Sequence, residues 1–573
     1  MARFCVLLAL CTLGCTLPFQ KCQSDDDCPR AEWCELRVHV CVRFEQPCAD
    51  LGADASCGED AGRAEADAGG EGEDGGRAEA DAGKEGEDAG RNESDGGRSA
   101  ADAGIVLLGH RILYYRVLPD DLAVPEPDPA SITTALIPLE DGGFIHAPIT
   151  NLDGGWFQVK KPAEGEVYLQ IGQLLVITSG HTISLDSYSL GRPGQTVPAS
   201  YQDIPVGLSA SGMEPTAAPY LYLVTPNTGF TGIVNLVTPL TAPVGTIIGQ
   251  RAVVQSAVIP PDGLLPFLVG DSTYVHQYAY LDAGSLAHAF PGSEVSYGAT
   301  VRTAEVHGLQ LTEDGGTLSV TFPSPALTSL SVGIKASEWS SHAADLADGG
   351  CVPYSFDLGV YPVPSSEGLA DVFLYTPALV DLWTTSAPST DIDASFLYAD
   401  GLPASWARQL AVSYGCTMAV KLAGSTSAAR ILIWVADSRP LPSGAGRVSP
   451  RVTAPEWIRV DGLAGKSGGG LTTTTPVISW APAPGPGAFG YMLSVFQFSV
   501  VQSRTVKTPI LRATTSRTSM RIPPGVLVSG GSYIFRLEAS LSPGHDFAAE
   551  PFVADQAIDI AYADVASGVW QAP

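Results

Sequence analysis

The stretch LVSGGSYIFRLEAS, residues 527–540, decides the fold class of this chain. After its Gly-Gly turn the residues alternate strictly between two faces, one with Tyr533, Phe535, Leu537 and Ala539 and the other with Ile534, Arg536 and Glu538. A period of two residues is typical of a β-strand with one face on a core. The stretch therefore predicts a strand of a β-sandwich.

The residues around this stretch extend the pattern to a whole domain over residues 449–565. Leu527 and Tyr533 keep an L-x-x-G-x-x-Y spacing, Trp480 lies in VISWAPAP, and Tyr491 begins the next strand after a Pro/Gly-rich turn. This segment resembles a fibronectin type III domain. The resemblance implies that Trp480 and Tyr491 are core residues and that the Tyr533 hydroxyl binds upstream backbone, in the arrangement called a tyrosine corner.

Residues 104–195 contain a second sandwich pattern, in TNLDGGWFQVKKPAEGEVYLQIG (150–172). A DGG turn precedes a strand in which Trp156, Gln158 and Lys160 alternate with Phe157 and Val159. A turn over residues 162–165 then leads to a strand around residues 168–170. The segment resembles the prealbumin-like, carboxypeptidase-regulatory repeat. That resemblance implies a small sandwich with a structural or carbohydrate-facing role and no catalytic residues.

Residues 196–448 hold further strand candidates, and we expect two sandwich domains there. Short apolar runs are LYLVT (221–225), RAVVQSAVI (251–259), TLSVTF (317–322) and ARILIWVA (429–436). Cys351 and Cys416 are the two cysteines of the chain beyond residue 103, and in an oxidising compartment we expect them to pair. Taken together, the chain is predicted to be all-β, with tandem antiparallel β-sandwiches after a disulfide-rich segment and a disordered acidic linker.

The first fifteen residues predict export. A short positive start is followed by the apolar run FCVLLALCTL (4–13), which is too short to cross a bilayer, since about twenty apolar residues are needed. The run ends Thr12-Leu13-Gly14-Cys15, which resembles the lipobox of bacterial lipoproteins and implies lipidation of Cys15. Cysteine parity does not choose between lipidation and cleavage just after Cys15, because eight cysteines remain in either case.

Residues 16–58 contain six closely spaced cysteines: Cys22, Cys28, Cys34, Cys41, Cys48 and Cys57. A segment this short cannot bury enough apolar surface to fold unaided, so we expect three disulfides, with fifteen possible connectivities. A zinc module is disfavoured, because the cluster has no C-x2-C pair and His39 is the only nearby imidazole. The form CxSDDDCPRxEWC…CV resembles the Cys-rich segments of myxobacterial, deltaproteobacterial surface lipoproteins.

Residues 59–103 are predicted to form a disordered linker. RAEADAGGEGEDGG (63–76) is repeated almost unchanged at 77–90, and sixteen acidic and five basic residues lie between Asp54 and Asp102. The tract lacks aromatic and branched aliphatic residues, so it cannot offset the entropy of folding. It is therefore interpreted as a tether that charge repulsion extends.

The sequence predicts no catalytic residue, metal site or cofactor. H-E-x-x-H, S-x-x-K and Walker patterns do not occur. His276 and His288 could meet across a hairpin near Asp282, and Asp391 and Asp393 could be acid/base or calcium-binding carboxylates, but surface or core positions are favoured for all five. Four further tryptophans could stack on sugar rings, although core positions are again favoured: Trp339, Trp383, Trp406 and Trp434.

The formal net charge of −29 argues against nucleic acid and anionic headgroups as partners, because both would be repelled. The expected setting is the bacterial cell envelope, at the outer membrane or cell surface, with membrane attachment through the lipid; secretion is the alternative. Two functions remain open. One is a binding or adhesion protein that contacts a polysaccharide, matrix or cell surface. The other is an extracytoplasmic glycan hydrolase with its active site in 196–448, for which two carboxylates in a cleft would be the sign.

Overall fold

The computed structural model of the protein describes part of the chain in detail: residues 32–35, 40–43, 105–117, 122–127, 132–191, 202–216, 220–228, 230–256, 270–282, 284–290, 295–309, 311–312, 314–344, 351–364, 377–384, 388–442, 446–485, 487 and 489–573. The chain divides into two units, Met1–Arg43 with Gly104–Pro573, and Phe44–Ala103. The second unit contains no described residue. Within the described residues, no helix is both long and apolar enough to span a membrane.

An antiparallel pair of short strands, β1 (Glu32–Glu35) and β2 (Val40–Arg43), is described in the Cys-rich segment. Its register places Cys34 opposite Cys41 along the backbone. The signal segment, Cys15, the other cysteines of the cluster (Cys22, Cys28, Cys48 and Cys57) and the acidic linker lie outside the described residues. The predictions made for them stay predictions.

The first module, residues 105–190, is a sandwich with a side sheet. Its strands are β3 (Ile105–His110), β4 (Ile112–Val117), β5 (Leu122–Pro127), β6 (Thr134–Pro138), β7 (Phe144–His146), β8 (Ile149–Asn151), β9 (Trp156–Lys161), β10 (Val167–Ile171), β11 (Leu174–Thr178), β12 (Thr182–Ser184) and β13 (Ser187–Leu190). Sheet β8-β9-β3-β12 faces β7-β6-β10-β11 across a core that includes Leu107, Phe157 and Leu169, and β5-β4-β13 forms the side sheet. Strand β9 alternates as predicted, and its inward Lys161 donates to the carbonyls of Gly165 (2.8 Å) and Ser179 (2.9 Å).

The second module, residues 202–321, is a single curled sheet. Its strands are β14 (Gln202–Thr216), β15 (Tyr220–Thr225), β16 (Phe230–Leu236), β17 (Val244–Ser256), β18 (Ser272–Asp282), β19 (Ser296–His307), β20 (Leu311–Thr312) and β21 (Gly315–Thr321). Their order is β20-β21-β14-β17-β16-β15-β18-β19. Residues from both ends of this series, such as Leu318 and Ala304, enter one core with Leu223 and Val254. The sheet therefore wraps around its own apolar interior.

The third module, residues 327–448, packs two sheets and a helix. Its elements are β22 (Leu327–Ile334), α1 (Ala336–Ala344), β23 (Cys351–Val363), β24 (Val380–Thr384), β25 (Ile392–Ala399), β26 (Ala407–Val420), β27 (Ala429–Pro440) and β28 (Gly446–Val448). Sheet β25-β22-β28 faces β24-β23-β26-β27. Helix α1 buries Trp339, whose indole N–H donates to the Val448 carbonyl at 3.3 Å.

The fourth module, residues 458–571, has two facing sheets. Its elements are β29 (Ile458–Val460), β30 (Leu463–Ala464), β31 (Gly469–Gly470), β32 (Val477–Trp480), β33 (Phe489–Val501), β34 (Arg504–Thr515), β35 (Ser519–Arg521), β36 (Ser532–Leu541), α2 (Pro551–Asp555), β37 (Ile560–Ala566) and β38 (Trp570–Gln571). Sheet β30-β29-β32-β35 faces β34-β33-β36-β37, and the short strands β31 and β38 extend the second of these sheets at β36. Strand β36 contains residues 532–540 of the stretch LVSGGSYIFRLEAS. Tyr533 and Phe535 face the core as predicted, and Ile534 and Glu538 on the other face are buried as well.

One hydrogen-bonded sheet runs through all four modules. Three junctions join them: β11 pairs with β34 in parallel, β37 pairs with β27 antiparallel, and β24 pairs with β19 antiparallel. The order of modules along this sheet is first, fourth, third, second, which differs from their order in the sequence. The sheet counts 22 strands among the described residues.

The predicted all-β, multi-domain fold is confirmed. Only two short α-helices, α1 and α2, occur among the described residues, and most strand pairs are antiparallel. Six pairs are parallel, one of them the β11–β34 junction. These pairings bring together strands that are distant in the chain, so they are departures from a simple series of hairpins.

Candidate functional site

A cluster of aromatic and acidic side chains lies on one sheet face where the second and third modules meet. We call it the tyrosine–aspartate cluster, and its members are Tyr220, Tyr222, Tyr278, Tyr280, Asp357, Tyr361, Asp381 and Trp383. They lie on β15, β18, β24 and β23, and β19 separates β18 from β24 in the sheet. Successive side chains of a strand point to opposite faces, so the alternate residues Leu358, Val380 and Leu382 enter the core. The core thus fixes which face presents the cluster.

Asp381 occupies the centre of the cluster between two glycines. In the strand register Gly298 of β19 and Gly359 of β23 both lie opposite Asp381. A Cβ atom on Gly298 would fall 1.8 Å from the Tyr278 hydroxyl oxygen, and one on Gly359 would fall 2.4 Å from the Tyr361 ring. The two rings therefore lie directly over the glycines, on either side of the Asp381 carboxyl group.

The two carboxyl groups of the cluster are close neighbours. Asp357 lies opposite Trp383 and Asp381 opposite Gly359, so the two acids are diagonal neighbours on adjacent strands. Diagonal neighbours on one sheet face are roughly 7 Å apart. The Tyr278 hydroxyl donates to Asp381 Oδ2 at 3.4 Å, whereas the buried Asp357 Oδ1 has no hydrogen-bond partner among the described residues.

Burial and mutual repulsion disfavour the charged forms of these groups. Desolvation raises the pKa of Asp381 to about 6, against a smaller lowering by the hydrogen bond from Tyr278. Desolvation, with the nearby charge of Asp381, raises the pKa of Asp357 well above its usual range. The pKa values of Tyr278 and Tyr361 are raised for the same two reasons, burial first and the carboxylates second. The cluster is thus an electronegative site that holds protons readily.

The described part of the chain provides no compensating cation for these acids. Among the described residues, no lysine or arginine contributes to the pKa shift of either carboxyl group or of the four perturbed tyrosines of the cluster. The described residues also contain no group of three or more His, Cys, Asp or Glu side chains that could hold a metal ion. Within the described ranges, these acids therefore differ from Asp400, which forms an ion pair with Arg408 at 2.7 Å.

The rim of the cluster is aromatic and open to solvent. Tyr280 is 66% exposed, Trp383 54% and Tyr220 41%. The Tyr278–Tyr280 and Tyr220–Tyr280 ring centroids are 5.8 and 5.9 Å apart, both in edge-to-face geometry. Edge-to-face packing fixes the rings relative to one another. The site therefore combines exposed aromatic surface with half-buried carboxyl groups.

The tryptophans singled out in the sequence divide between core and surface. Trp339 and Trp406 are buried, at 0% and 5% exposure, as the favoured interpretation expects. Trp434 is half-buried on β27. Trp383 is exposed and belongs to the tyrosine–aspartate cluster.

The paired histidines do not come together in a metal site. His276 is buried in β18, its Nδ1 lies 3.2 Å from the Thr303 hydroxyl, and desolvation lowers its pKa to about 4. His288 is exposed in a 3-10 turn, and Asp282 is exposed at the end of β18. His276 therefore has a structural position in the core.

Asp391 directly precedes β25 and Asp393 lies on it, and both are exposed. Asp391 Oδ1 accepts the backbone N–H of Ala336, the first residue of helix α1, at 3.1 Å. Such a bond satisfies an amide that has no partner within the helix. Both acids therefore have the solvated position that the sequence favoured.

The four residues behind the fibronectin type III resemblance are all buried in one core: Trp480, Tyr491, Leu527 and Tyr533. The Tyr533 hydroxyl accepts the Val528 N–H at 2.7 Å and donates to the Val528 carbonyl at 3.1 Å. The Tyr491 hydroxyl accepts the Ala483 N–H at 3.1 Å. These residues thus stabilise the fourth module.

The two cysteines of the third module lie on adjacent strands. Cys351 begins β23 and Cys416 lies in β26, where it faces Pro353 in the register. Cys416 is buried and disulfide-bonded. The pairing of Cys416 with Cys351 stays a prediction, which the two-residue offset between them supports.

One short pattern, Gly465-Lys466-Ser467-Gly468-Gly469, has the G-x-S-x-G spacing of a nucleophile elbow. That elbow requires a sharp turn from a strand into a helix. Here a 3-10 turn over Gly465–Ser467 leads into the short strand β31, and Ser467 Oγ donates to the Ala464 carbonyl at 3.1 Å. The segment therefore lacks the elbow geometry.

Sequence reasoning missed seven of the eight cluster residues. A signal for five of the seven exists in SFDLGVYPV (355–363), VDLWT (380–384) and YLYLVT (220–225), where acids and aromatics alternate with aliphatic residues. The alternation indicates that these side chains share a sheet face. It does not indicate that the three strands are near neighbours.

Comparisons with known proteins leave the chain without a family. No protein-family model and no curated protein matches it. Among solved structures, a leucine-rich repeat protein from Bacteroides thetaiotaomicron VPI-5482 is 11% identical with a TM-score of 0.12, over 44% of this chain and 26% of that one, so the chain spans about a quarter of its length. A tetra-tandem repeat from the extending region of a large adhesion protein is 10% identical with a TM-score of 0.11, over 80% and 99% of the two chains. A streptococcal ancillary pilin is 9% identical with a TM-score of 0.10, over 60% and 98%. Similarity at this level assigns neither a fold family nor a function.

Proposed function

We propose that the protein is an exported, surface-displayed binding protein that holds a glycan at the tyrosine–aspartate cluster. The observation that supports this is the exposure of Tyr220, Tyr280 and Trp383 beside two carboxyl groups on one sheet face. Aromatic rings offer flat apolar surface to sugar rings, and carboxyl groups accept hydrogen bonds from their polar substituents. Export, a lipid at Cys15 and an acidic tether would place this face outside the cell.

The binding test uses the full chain with Cys15→Ser, which removes the proposed lipid site. The chain is screened on a glycan array beside the same chain with Trp383→Ala. Trp457→Ala is the matched control, because Trp457 is 40% exposed, precedes β29 of the fourth module and lies on none of the cluster strands. We expect Trp383→Ala to lose at least ten-fold in affinity and Trp457→Ala to bind normally. Equal binding by all three proteins, or binding by none, would overturn the proposal.

The anchoring part of the proposal has its own test. Cells that produce the natural chain are labelled with radioactive palmitate, with Cys15→Ser as the control. Label on the natural chain alone supports lipidation of Cys15. An unlabelled natural chain contradicts it and leaves secretion as the export route.

A second candidate function is glycoside hydrolysis by Asp357 and Asp381. The specific observation in its favour is a pair of neighbouring acids with raised pKa values, since a glycosidase needs one protonated and one ionised carboxyl group roughly 5–10 Å apart. In that role Asp381 would be the acid and Asp357 its partner, or the reverse. Release of reducing ends from a bound glycan, lost in both Asp357→Asn and Asp381→Asn, would establish it; binding without release would exclude it.

A further inference from the structure

The tyrosine–aspartate cluster has the electrostatic character of a site for a cation. Asp357 and Asp381 lie close together, and among the described residues neither has a lysine or arginine near enough to shift its pKa. Asp357 Oδ1 is buried and has no hydrogen-bond donor among those residues. A buried acceptor without a donor is costly, and a ligand that supplies a donor removes that cost. A ligand with a positive donor would also allow both acids to ionise.

The rings of the cluster favour the same kind of ligand. The face of a tyrosine or tryptophan ring is the negative end of its quadrupole, and it attracts cations within about 6 Å of the ring centre. The ring centroids of Tyr222 and Tyr278 are 5.7 Å apart, and those of Tyr278 and Tyr280 are 5.8 Å apart. A ligand group bound at this face therefore contacts several rings at once. The exposed Trp383, two residues after Asp381 on the same face, adds a ring close to the carboxyl groups.

A metal ion is a poor fit for the cluster. Calcium takes six to eight oxygen ligands and magnesium a near-ideal octahedron. The cluster offers two carboxyl groups and phenolic oxygens, and no third acidic, histidine or cysteine ligand joins them among the described residues. An organic ammonium group needs fewer oxygens, because its three N–H donors can be shared between carboxylates and water.

The charge of the whole chain supports a cationic ligand at longer range. The sequence has 61 acidic and 32 basic residues. A net charge of this size repels polyanions and attracts polycations through the summed field of the protein. Acidic glycans such as polyuronates are thereby disfavoured.

From these observations we infer that the ligand is a saccharide with free amino groups, a de-N-acetylated hexosamine chain, and that its ammonium group is held between Asp357 and Asp381 beneath the aromatic rim. This inference rests on the proposed glycan-binding function and specifies its substrate class. The sugar ring lies against Trp383 and Tyr280, and the ammonium group supplies the donor that Asp357 Oδ1 lacks. Acetylation of the amine removes its charge and so removes the basis of recognition.

The test is isothermal titration calorimetry with the full Cys15→Ser chain and three probes of equal length. These are a β-1,4-glucosamine hexamer, its fully N-acetylated form and a hexamer of galacturonate. We expect the glucosamine hexamer to bind at least ten-fold more tightly than the acetylated hexamer, and galacturonate not to bind. Hexalysine is a fourth probe, which reports attraction to the acidic chain as a whole.

Variants assign the effect to the cluster. Asp381→Asn is expected to weaken glucosamine-hexamer binding at least ten-fold and to leave the acetylated hexamer unaffected. Asp393→Asn, an exposed acid on β25 of the same module, is the matched control and should bind normally. Because Asp381→Asn removes a poorly solvated acid, it should fold; Tyr280→Ala, at an exposed position, gives a second variant with the same expected loss.

The outcomes separate the inference from the proposed function. Equal binding of the acetylated and free hexamers overturns the inference and leaves glycan binding intact. Binding of galacturonate, hexalysine as tight as glucosamine, or an equal effect of Asp393→Asn also overturns it. Binding of none of the saccharides overturns both proposals.

Discussion

The Tyr278 ring lies over Gly298, its diagonal neighbour on the next strand, so closely that a Cβ atom at position 298 would fall 1.8 Å from the Tyr278 hydroxyl oxygen. The glycine belongs to β19, and its register partner on β24 is Asp381, whose Oδ2 accepts the Tyr278 hydroxyl hydrogen at 3.4 Å. The absence of a side chain at one position thus permits the hydrogen bond between two others. This relationship makes Gly298 a determinant of the geometry of the tyrosine–aspartate cluster.

Gly298→Ala is expected to destabilise the protein by about 1–3 kcal/mol, because the added methyl group must displace the Tyr278 ring from a packed position. Urea unfolding measures the change. Gly270→Ala is the matched control, since a Cβ there would have no atom of a described residue within 4 Å. The double variant Gly298→Ala with Tyr278→Ala should lose less stability than the sum of the two single variants, because removal of the ring also removes the clash. Additive losses would contradict the contact.

Tyr533→Phe is expected to lower the free energy of unfolding by about 1–3 kcal/mol, because it removes two hydrogen bonds and leaves the Val528 N–H without a partner. The Val528 carbonyl still accepts the Gly531 N–H at 3.0 Å. Tyr491→Phe, which removes a single hydrogen bond to Ala483, should cost less. Tyr280→Phe at the surface serves as the control. A result in which Tyr533→Phe is no more harmful than Tyr280→Phe would show that this corner is not stabilising.

Asp437→Ala is expected to cost about 3–5 kcal/mol, because it removes the carboxylate partner of Arg439 and one of the two carboxylate partners of Arg451. Asp437 is fully buried and pairs with Arg439 at 2.6 Å and Arg451 at 2.9 Å. Arg451 also pairs with Asp559 of the fourth module, so the network links two modules. Thermal unfolding should report the loss, and Asp559→Ala, with a partly exposed carboxylate, should cost clearly less. Equal costs for the two variants would argue against a buried network centred on Asp437.

The stability contributed by Asp381 is expected to fall as pH rises from about 4 to about 6. The usual pKa of an aspartate, about 3.9, applies to the unfolded chain, whereas desolvation raises the folded value to about 6. Between these values the folded state holds the proton that the unfolded state has lost, so the free energy of unfolding decreases with pH there and is level outside that range. Tyr278 faces the group from β18, and Asp357 and Tyr361 face it from β23; Asp357, with its own raised pKa, acts in the same direction.

Asp381→Asn removes this pH dependence. The free energy of unfolding of the variant, relative to that of the natural chain, should therefore be higher at pH 7 than at pH 4, by on the order of 1 kcal/mol. Urea midpoints of both proteins at the two pH values measure it, and Asp393→Asn is the exposed control. A difference between variant and natural chain that is the same at pH 4 and pH 7 would refute the raised pKa.

Local patterns predicted the strands well, because the period of two is a property of a single segment. Tyr533 and Phe535 in β36, and Phe157 and Val159 in β9, alternate in the structure as the sequence indicates. The junctions between modules could not be predicted in the same way. Strands such as β11 and β34 pair through backbone N–H and carbonyl groups, which every sequence has, so no side-chain pattern marks the partner.

The candidate site depends on such a junction. Asp381 and Trp383 look like ordinary surface residues of a single strand, and only the pairing of β24 with β19 brings them beside the tyrosines of β18. Asp357 was missed for a similar reason, since nothing in its own segment marks the acid on the next strand. The sequence therefore identified the residue types and their faces, and the arrangement of strands was needed to assemble the site.

The sheet that joins first, fourth, third and second modules also has a mechanical consequence. A pulling force between the start of the first module and a ligand held by Trp383 reaches the third module by two routes. One follows the covalent chain from Leu190 to Gln202 and through the second module, and the other crosses the β11–β34 and β37–β27 ladders. The force is therefore divided between the covalent chain and the hydrogen bonds of the two ladders. If one of these connections extends under force, the other still joins the site to the first module.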